Sequence, residues 1–288
     1  MVPTPEHRFE PMSTGMVLDR AFRLYAQNFP LMLGISAILN VPLLVLTVLP
    51  VFLVRTGNPP LLAVMIALSS TLIGLVALLI VYPLVTGATT KAVSDTYLGN
   101  PVTVGSALKV AWRKFGTLLL AQAVAGMIVL LGFILLVVPG ILWMLSYTLI
   151  PPVVMVEAAE GRGARPVPSS PGDPGRGTPR ITDRGEIRRR SWELVKGNRG
   201  KVFVVLFVFV VMQLLLGTAG NWIAGIGFGA GSNPARVIQS ILGNVVAIVV
   251  SPLQTIAITL LYYDFRIRKE GFDLEMLSQA IGNPAVKA

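Results

Sequence analysis

Six apolar runs dominate the chain, and the segments between them are of mixed polarity. The runs extend from Phe29 to Val54, Leu61 to Val85, Thr117 to Val138, Ile141 to Val156, Val202 to Ile226 and Val237 to Tyr263, and no Asp, Glu, Lys, Arg or His interrupts any of them. Crossing the hydrocarbon core of a bilayer takes about 20 apolar residues in a helix. Backbone groups in lipid must also be satisfied within the segment that carries them, which favours helices. The pattern predicts an all-α, polytopic membrane helical bundle with six transmembrane helices.

Three further segments have the period of a helix lying at a membrane surface. Before the first run, Leu18, Ala21, Phe22, Tyr25, Ala26 and Phe29 form one apolar stripe. Before the third run, Val104, Ala107, Leu108, Ala111, Trp112 and Phe115 draw the same stripe at one fixed offset. Before the fifth run, Arg190 to Asn198 occupies the place of Arg20 to Asn28, with a weaker stripe and a more basic face. Pro30, Gly116 and Gly200 coincide in this alignment, each at the joint between surface helix and span. The chain thus reads as one integral membrane domain over residues 1–288 with a threefold internal repeat. Its units are 13–86, 100–157 and 186–263, each an interfacial helix followed by a two-helix hairpin.

Other elements are read from punctuation. Residues 158–185 hold 6 Gly and 5 Pro without apolar period, which predicts a disordered cytoplasmic linker. The turn between the third and fourth runs is expected at Pro139-Gly140. Pro42, Pro50 and Pro252 are expected to kink their spans and to free carbonyls that neighbours must satisfy, and Pro151-Pro152 sits near the cytoplasmic end of the short fourth run. The six glycines between Gly217 and Gly231 predict close helix contact and then a loop, since no Lys-Ser or Lys-Thr follows to make a phosphate cradle.

Charge orients the bundle. Lys and Arg number 3 before the first run, 4 after the second, 11 after the fourth and 4 in the tail, against 1, 0 and 1 in the alternate loops. Positive charge stays on the cytoplasmic side, so both termini, including the tail 264–288, are expected there. The first run lies too far from the start, and is too long, for the apolar part of a cleaved signal. A composition rich in Ala, Gly, Arg and Pro points to a bacterial cytoplasmic (inner) membrane.

Composition narrows the partners. A 53% apolar content, a mean hydropathy of +0.72 and only 13% charged residues belong to membrane proteins. The net charge of +10 lies beside the spans, where anionic lipid headgroups attract each cation by about 1 kcal/mol. No recognition motif for nucleic acid accompanies it. With no Cys and His7 as the single histidine, neither a thiol or metal site nor a Ser-His-Asp arrangement can be assembled. No cofactor, metal site or catalytic residue is expected.

Uncharged polar residues inside the runs are Asn40, Gln122, Gln213, Asn221, Gln239, Asn244 and Gln254. Amides of this kind hydrogen-bond between helices for about 0.6 kcal/mol each. Asn40, Gln122, Gln213, Asn244 and Gln254 are also the candidates to line a solute path. On the basic side, Arg188, Arg189, Arg190, Trp192, Lys196, Arg266, Arg268 and Lys269 are the candidates for a headgroup- or partner-binding face. Tyr262 and Tyr263 suit an interfacial anchor, and the alternation Asp264, Arg266, Arg268, Glu270 allows pairing with the basic helix around Arg188 to Arg199.

The run Tyr262 to Glu275, with Arg189 to Asn198, Pro139 to Leu142 and Leu18 to Tyr25, resembles the membrane domain found N-terminal to some bacterial glycerophosphoryl diester phosphodiesterases. That domain also occurs alone. The resemblance implies a helical membrane module without an established activity of its own. The segment Gly161 to Arg184 departs from it as an insertion, and nothing after the tail supplies the paired histidines and carboxylates of a phosphodiesterase. The expectation is a non-enzymatic scaffold, lipid-organising or accessory module with a basic cytoplasmic face. A transporter or permease for a lipid-like or apolar solute is the alternative, and a membrane phosphodiesterase fits least.

Overall fold

The computed structural model describes residues 12–53, 60–157, 184–229 and 232–270. Among these residues every regular element is helical. The chain runs through α1 (Thr14–Gln27), α2 (Phe29–Leu53), α3 (Pro60–Val76), α4 (Tyr82–Leu98), α5 (Val104–Arg113) and α6 (Phe115–Leu135). It continues with α7 (Val137–Tyr147), the single turn α8 (Ile150–Pro152), α9 (Arg184–Val195), α10 (Arg199–Phe228) and α11 (Asn233–Glu270). Two π turns interrupt it, Ala77–Val81 joining α3 to α4 and Val153–Glu157 after α8. His7, most of the expected linker and the tail beyond Glu270 lie outside the described residues.

Among the described residues six segments are long and apolar enough to cross a membrane: Phe29–Leu46, Val64–Leu98, Phe115–Leu135, Val137–Glu157, Arg199–Phe228 and Pro234–Lys269. The protein is an all-α, multi-pass membrane protein. A short helix precedes each pair of long ones, and Pro30, Gly116 and Gly200 each stand second in the long helix that follows. Proline there costs no hydrogen bond, because the first turn's N–H groups have no helical partner. Ser13 caps α1 by accepting from the Met16 N–H, 3.2 Å. Thr103 and Ser106 close a reciprocal capping box on α5, a device that stabilises a helix start by about 1 kcal/mol.

The surface helices bury narrower faces than their stripes. In α1 the inward residues are Val17, Ala21 and Tyr25, while Phe22, and Phe29 at the start of α2, are exposed. In α5 they are Ala107 and Ala111, with Trp112 outside. Ala21, Ala107 and Ala111 let the surface helices approach the bundle, Tyr25 points inward with them, and Phe22 and Trp112 turn to its periphery.

Three boundaries differ from the sequence reading. The second span does not end at Val85, because α4 carries the helix on to Leu98 as one of the most buried elements. Its Thr86, Thr89, Thr90 and Ser94 are all buried, and their polarity hides the segment from a hydropathy reading. The turn after α6 lies at Leu136, whose backbone is extended, and not at Pro139-Gly140, which sit in the first turn of α7. There Gly140 serves close packing: a Cβ on it would lie 2.6 Å from Phe133 Cγ, and one on Gly132 would lie 2.9 Å from Gly140 Cα. The glycine-rich stretch belongs largely to α10; among its described glycines only Gly220 faces α11 closely, where an added Cβ would lie 3.4 Å from Leu242 Cβ, and Gly229, at φ +79°, ends the helix.

Helix α11 packs against α1, α2, α4, α9 and α10 and is the spine of the bundle. Pro252 stands within it, which leaves the Ile248 carbonyl without its helical donor. On the neighbouring carbonyl, Val249, the Tyr25 hydroxyl donates a hydrogen bond of 2.8 Å from α1. Burial holds that phenol above the ordinary tyrosine pKa.

Candidate functional site

One end of the bundle gathers side chains from every segment predicted to lie on the basic side. At its centre the Asp264 carboxylate is fully buried. It accepts from the Met12 N–H at 2.6 Å, from Lys201 Nζ at 2.6 Å and from Arg268 Nε at 3.1 Å. Lys201 and Arg268 also donate to the Met12 carbonyl. Residues from α10, α11 and the segment before α1 are thus tied at one point, with the buried charge neutralised by paired cations.

A second cluster lies beside it. Arg190 Nε donates to both oxygens of Glu157, 3.1 Å each, and the Tyr262 hydroxyl donates to Glu157 Oε1 at 3.0 Å. Arg266 Nη1 reaches the Tyr262 oxygen at 3.3 Å. Tyr263 exchanges a 2.6 Å hydrogen bond with Ser94 and stacks on Tyr97, ring centroids 5.1 Å apart. The two tyrosines are buried and lock α11 to α4 and to the end of the fourth span, which places them inside the protein and not at an interfacial belt.

The eight basic-face candidates therefore divide. Arg190, Arg266 and Arg268 serve the internal clusters. Lys269 donates to the Glu193 and Lys196 carbonyls at the C-terminal end of α9, a favourable place for a cation on the helix dipole. This ties the end of α11 to α9 through backbone carbonyls and not through the charge alternation, whose Asp264 pairs with Lys201 and Arg268 in place of α9. Trp192 lies under the Arg199 guanidinium at 4.5 Å and near Tyr147. Arg189 is exposed and paired with Glu193 one turn on. Lys196 is exposed and Arg188 half-buried, and neither forms an ion pair among the described residues.

Further into the bundle is a chamber of about 730 Å³ lined by residues of all six spans. Asn40 comes from α2, Gly74 from α3, Tyr82 and Thr86 from α4, Gln122 and Gly126 from α6, Tyr147 from α7, Val210 from α10, and Ser251 and Gln254 from α11. Among the described residues no charged side chain lines it. Breaks in regular helix surround it: Val81 ends one π turn, and Thr148, Ile150 and Pro151 follow the end of α7. Such interruptions widen a helix and recur at functional sites. Small wall residues, Gly74, Ala125, Gly126 and Ala247, leave the space unfilled. Tyr82 and Val210 are more than half exposed, so the chamber is not sealed.

Three of the five intramembrane candidates meet in this chamber. Gln122 Nε2 donates to Thr86 Oγ1 at 3.2 Å, and its Oε1 is buried without a partner among the described residues. Asn40 Nδ2 donates to the Ser36 carbonyl at 2.8 Å. Gln254 lines the wall with no hydrogen bond among the described residues. The other two lie elsewhere: Gln213 is exposed, and Asn244 bonds the Ser240 carbonyl of its own helix at 2.8 Å.

Sequence reasoning missed Thr86, Tyr82, Tyr147 and Ser251 as wall residues, and Lys201 with Met12 as partners of Asp264. The available signal for the first group is the threonine-rich start of α4, too polar for a lipid-facing helix. Among the described residues no group of three or more His, Cys, Asp or Glu is placed to hold a metal ion. Comparison with protein-family models, with curated proteins and with solved structures found no match to this chain.

Proposed function

We propose that this protein is a membrane carrier that holds a lipid-like solute inside its helical bundle. The observation that supports this reading is the chamber to which all six spans contribute, with largely apolar walls and three side-chain amides. Ligand sites are commonly concave, mostly apolar and equipped with a few polar groups that fix orientation. The wall carries no titratable carboxylate, histidine or lysine, which favours a non-enzymatic role and argues against ion coupling. The protein sits in a bacterial cytoplasmic membrane with its basic end toward the cytoplasm. Its likeness to the membrane domain of glycerophosphoryl diester phosphodiesterases is compatible with a lipid-handling module and supplies no activity.

The test is photo-crosslinking of the purified chain in nanodiscs to a diacyl lipid with a diazirine near its headgroup. Crosslinks mapped to Gly126, Val210 and Ser251 support the carrier. Crosslinks confined to the outward Leu131 and Ile134 overturn it.

A second reading concerns the surface of α9. Arg188, Arg189 and Lys196 remain outside the two buried clusters and form a small basic face that suits anionic headgroups or an acidic partner. This accessory, scaffolding role is compatible with the carrier and is tested below.

A further inference from the structure

We infer that the chamber selects an electrically neutral amphiphile whose head carries a hydroxyl group. This rests on the carrier reading and adds the class of solute. Three observations lead to it. First, the polar wall is made only of amides and hydroxyls, so a phosphate or carboxylate entering it meets no cation. The cations that could neutralise such a group, Arg190, Lys201 and Arg268, are held by Glu157 and Asp264 at the basic end. An ion stripped of water without a partner is strongly disfavoured, whereas a neutral hydroxyl needs only one or two hydrogen bonds.

Second, the amides offer both hydrogen-bonding senses. Gln254 makes no hydrogen bond among the described residues, and Asn40 uses its Nδ2 on Ser36 while its Oδ1 has no partner among them. An unmet amide inside a membrane bundle is costly. A head bearing a hydroxyl beside an ester satisfies it in both directions, because the hydroxyl donates to an amide oxygen while the ester carbonyl accepts from an amide N–H.

Third, the polar wall lies against a larger apolar one, formed by Val81, Val85, Val129, Leu206 and Val210. Acyl chains leaving the head have apolar surface to follow, and the exposure of Val210 lets them continue outward.

The experiment is competition for chamber crosslinking in the full chain, using three lipids with the same two oleoyl chains. They are dioleoylglycerol, its 3-acetyl derivative, which lacks the hydroxyl, and dioleoyl phosphatidic acid, which carries charge. Dioleoylglycerol is expected to compete at about tenfold lower concentration than either of the others, since a site built to hydrogen-bond a hydroxyl rejects the analogue without it. In Gln254→Leu and in Gln122→Leu the walls remain, so crosslinking persists while the preference shrinks to about threefold or less.

Equal competition by all three lipids overturns the headgroup inference and leaves the carrier intact. Phosphatidic acid competing best also overturns it, as does a preference unchanged in both variants. Loss of chamber crosslinking with every lipid removes the carrier reading and this inference together.

Discussion

Lys201 Nζ lies 2.6 Å from Asp264 Oδ2, in a place where the carboxylate has no solvent exposure and Met12 brings both its backbone groups to the same pair. A buried pair of this kind says little about net stability, but removing one partner is expensive because the other charge remains desolvated. Asp264→Ala strands Lys201, Arg268 and the Met12 N–H together. The expected loss is about 3–5 kcal/mol, read as a lower unfolding midpoint of the detergent-solubilised protein. Arg189→Ala, which breaks an exposed pair, should cost under about 1 kcal/mol. Equal midpoints for the two variants would refute the assignment of Asp264 as the tie point.

The basic candidates should separate by assay. Charge reversal at Arg188, Arg189 and Lys196 removes cations that lie outside the two buried clusters, and each reversal should weaken docking of the protein's basic end to phosphatidylglycerol vesicles by about 1 kcal/mol or more. Arg266→Gln removes a buried guanidinium instead. It should lower thermal stability and leave vesicle binding nearly unchanged. If Arg266→Gln weakens vesicle binding as much as the surface reversals do, the division between internal and external cations is wrong.

How far the sequence can be read depends on which force places a residue. The spans were legible because transfer to lipid acts on each side chain separately, so apolar runs locate themselves. The surface helices were legible from their period, and Ala21, Tyr25, Ala107 and Ala111 of their stripes are buried, yet the outward turn of Phe22 and Trp112 was not. Which of Val17 or Phe22 turns inward depends on how closely α1 can approach α11, and that is a packing property. Helix α4 was missed because its Thr86, Thr89 and Thr90 are placed by neighbours rather than by hydropathy. The charge alternation of the tail points to the helix around Arg188 to Arg199, but the partners that Asp264 takes, Lys201 and Met12, are distant in sequence and carry no local mark. For the chamber, Asn40, Gln122 and Gln254 were visible as unusual residues in apolar runs; their meeting at one wall is a consequence of tertiary structure.

Close packing makes Gly140 sensitive to size. A Cβ there would lie 2.6 Å from Phe133 Cγ, well inside van der Waals contact, and α6 and α7 would have to part. Gly140→Val should destabilise by about 1–3 kcal/mol as overpacking does. Gly126→Ala meets nothing within 4 Å and should leave stability nearly unchanged. Measured unfolding midpoints test the contrast, and a mild effect at Gly140 would mean that the hairpin yields more easily than its geometry implies.

The absence of cysteine makes the membrane orientation directly measurable, because one introduced thiol is the only labelling site. The contacts of Met12, Ser94, Glu157, Arg190 and Tyr263 bring the four basic segments to one end of the bundle. Those segments must therefore share one side of the membrane, and we propose from the retention of positive charge that this side is the cytoplasm. Ser170→Cys, in the most basic of the sequence segments between the apolar runs, should resist a membrane-impermeant maleimide in intact cells and react after permeabilisation. Ser232→Cys, between α10 and α11 at the opposite end, should react in intact cells. The reverse pattern inverts the orientation while keeping the fold. Labelling of both sites from outside, with the cells demonstrably sealed, would break the common-side assignment and with it the six-span topology.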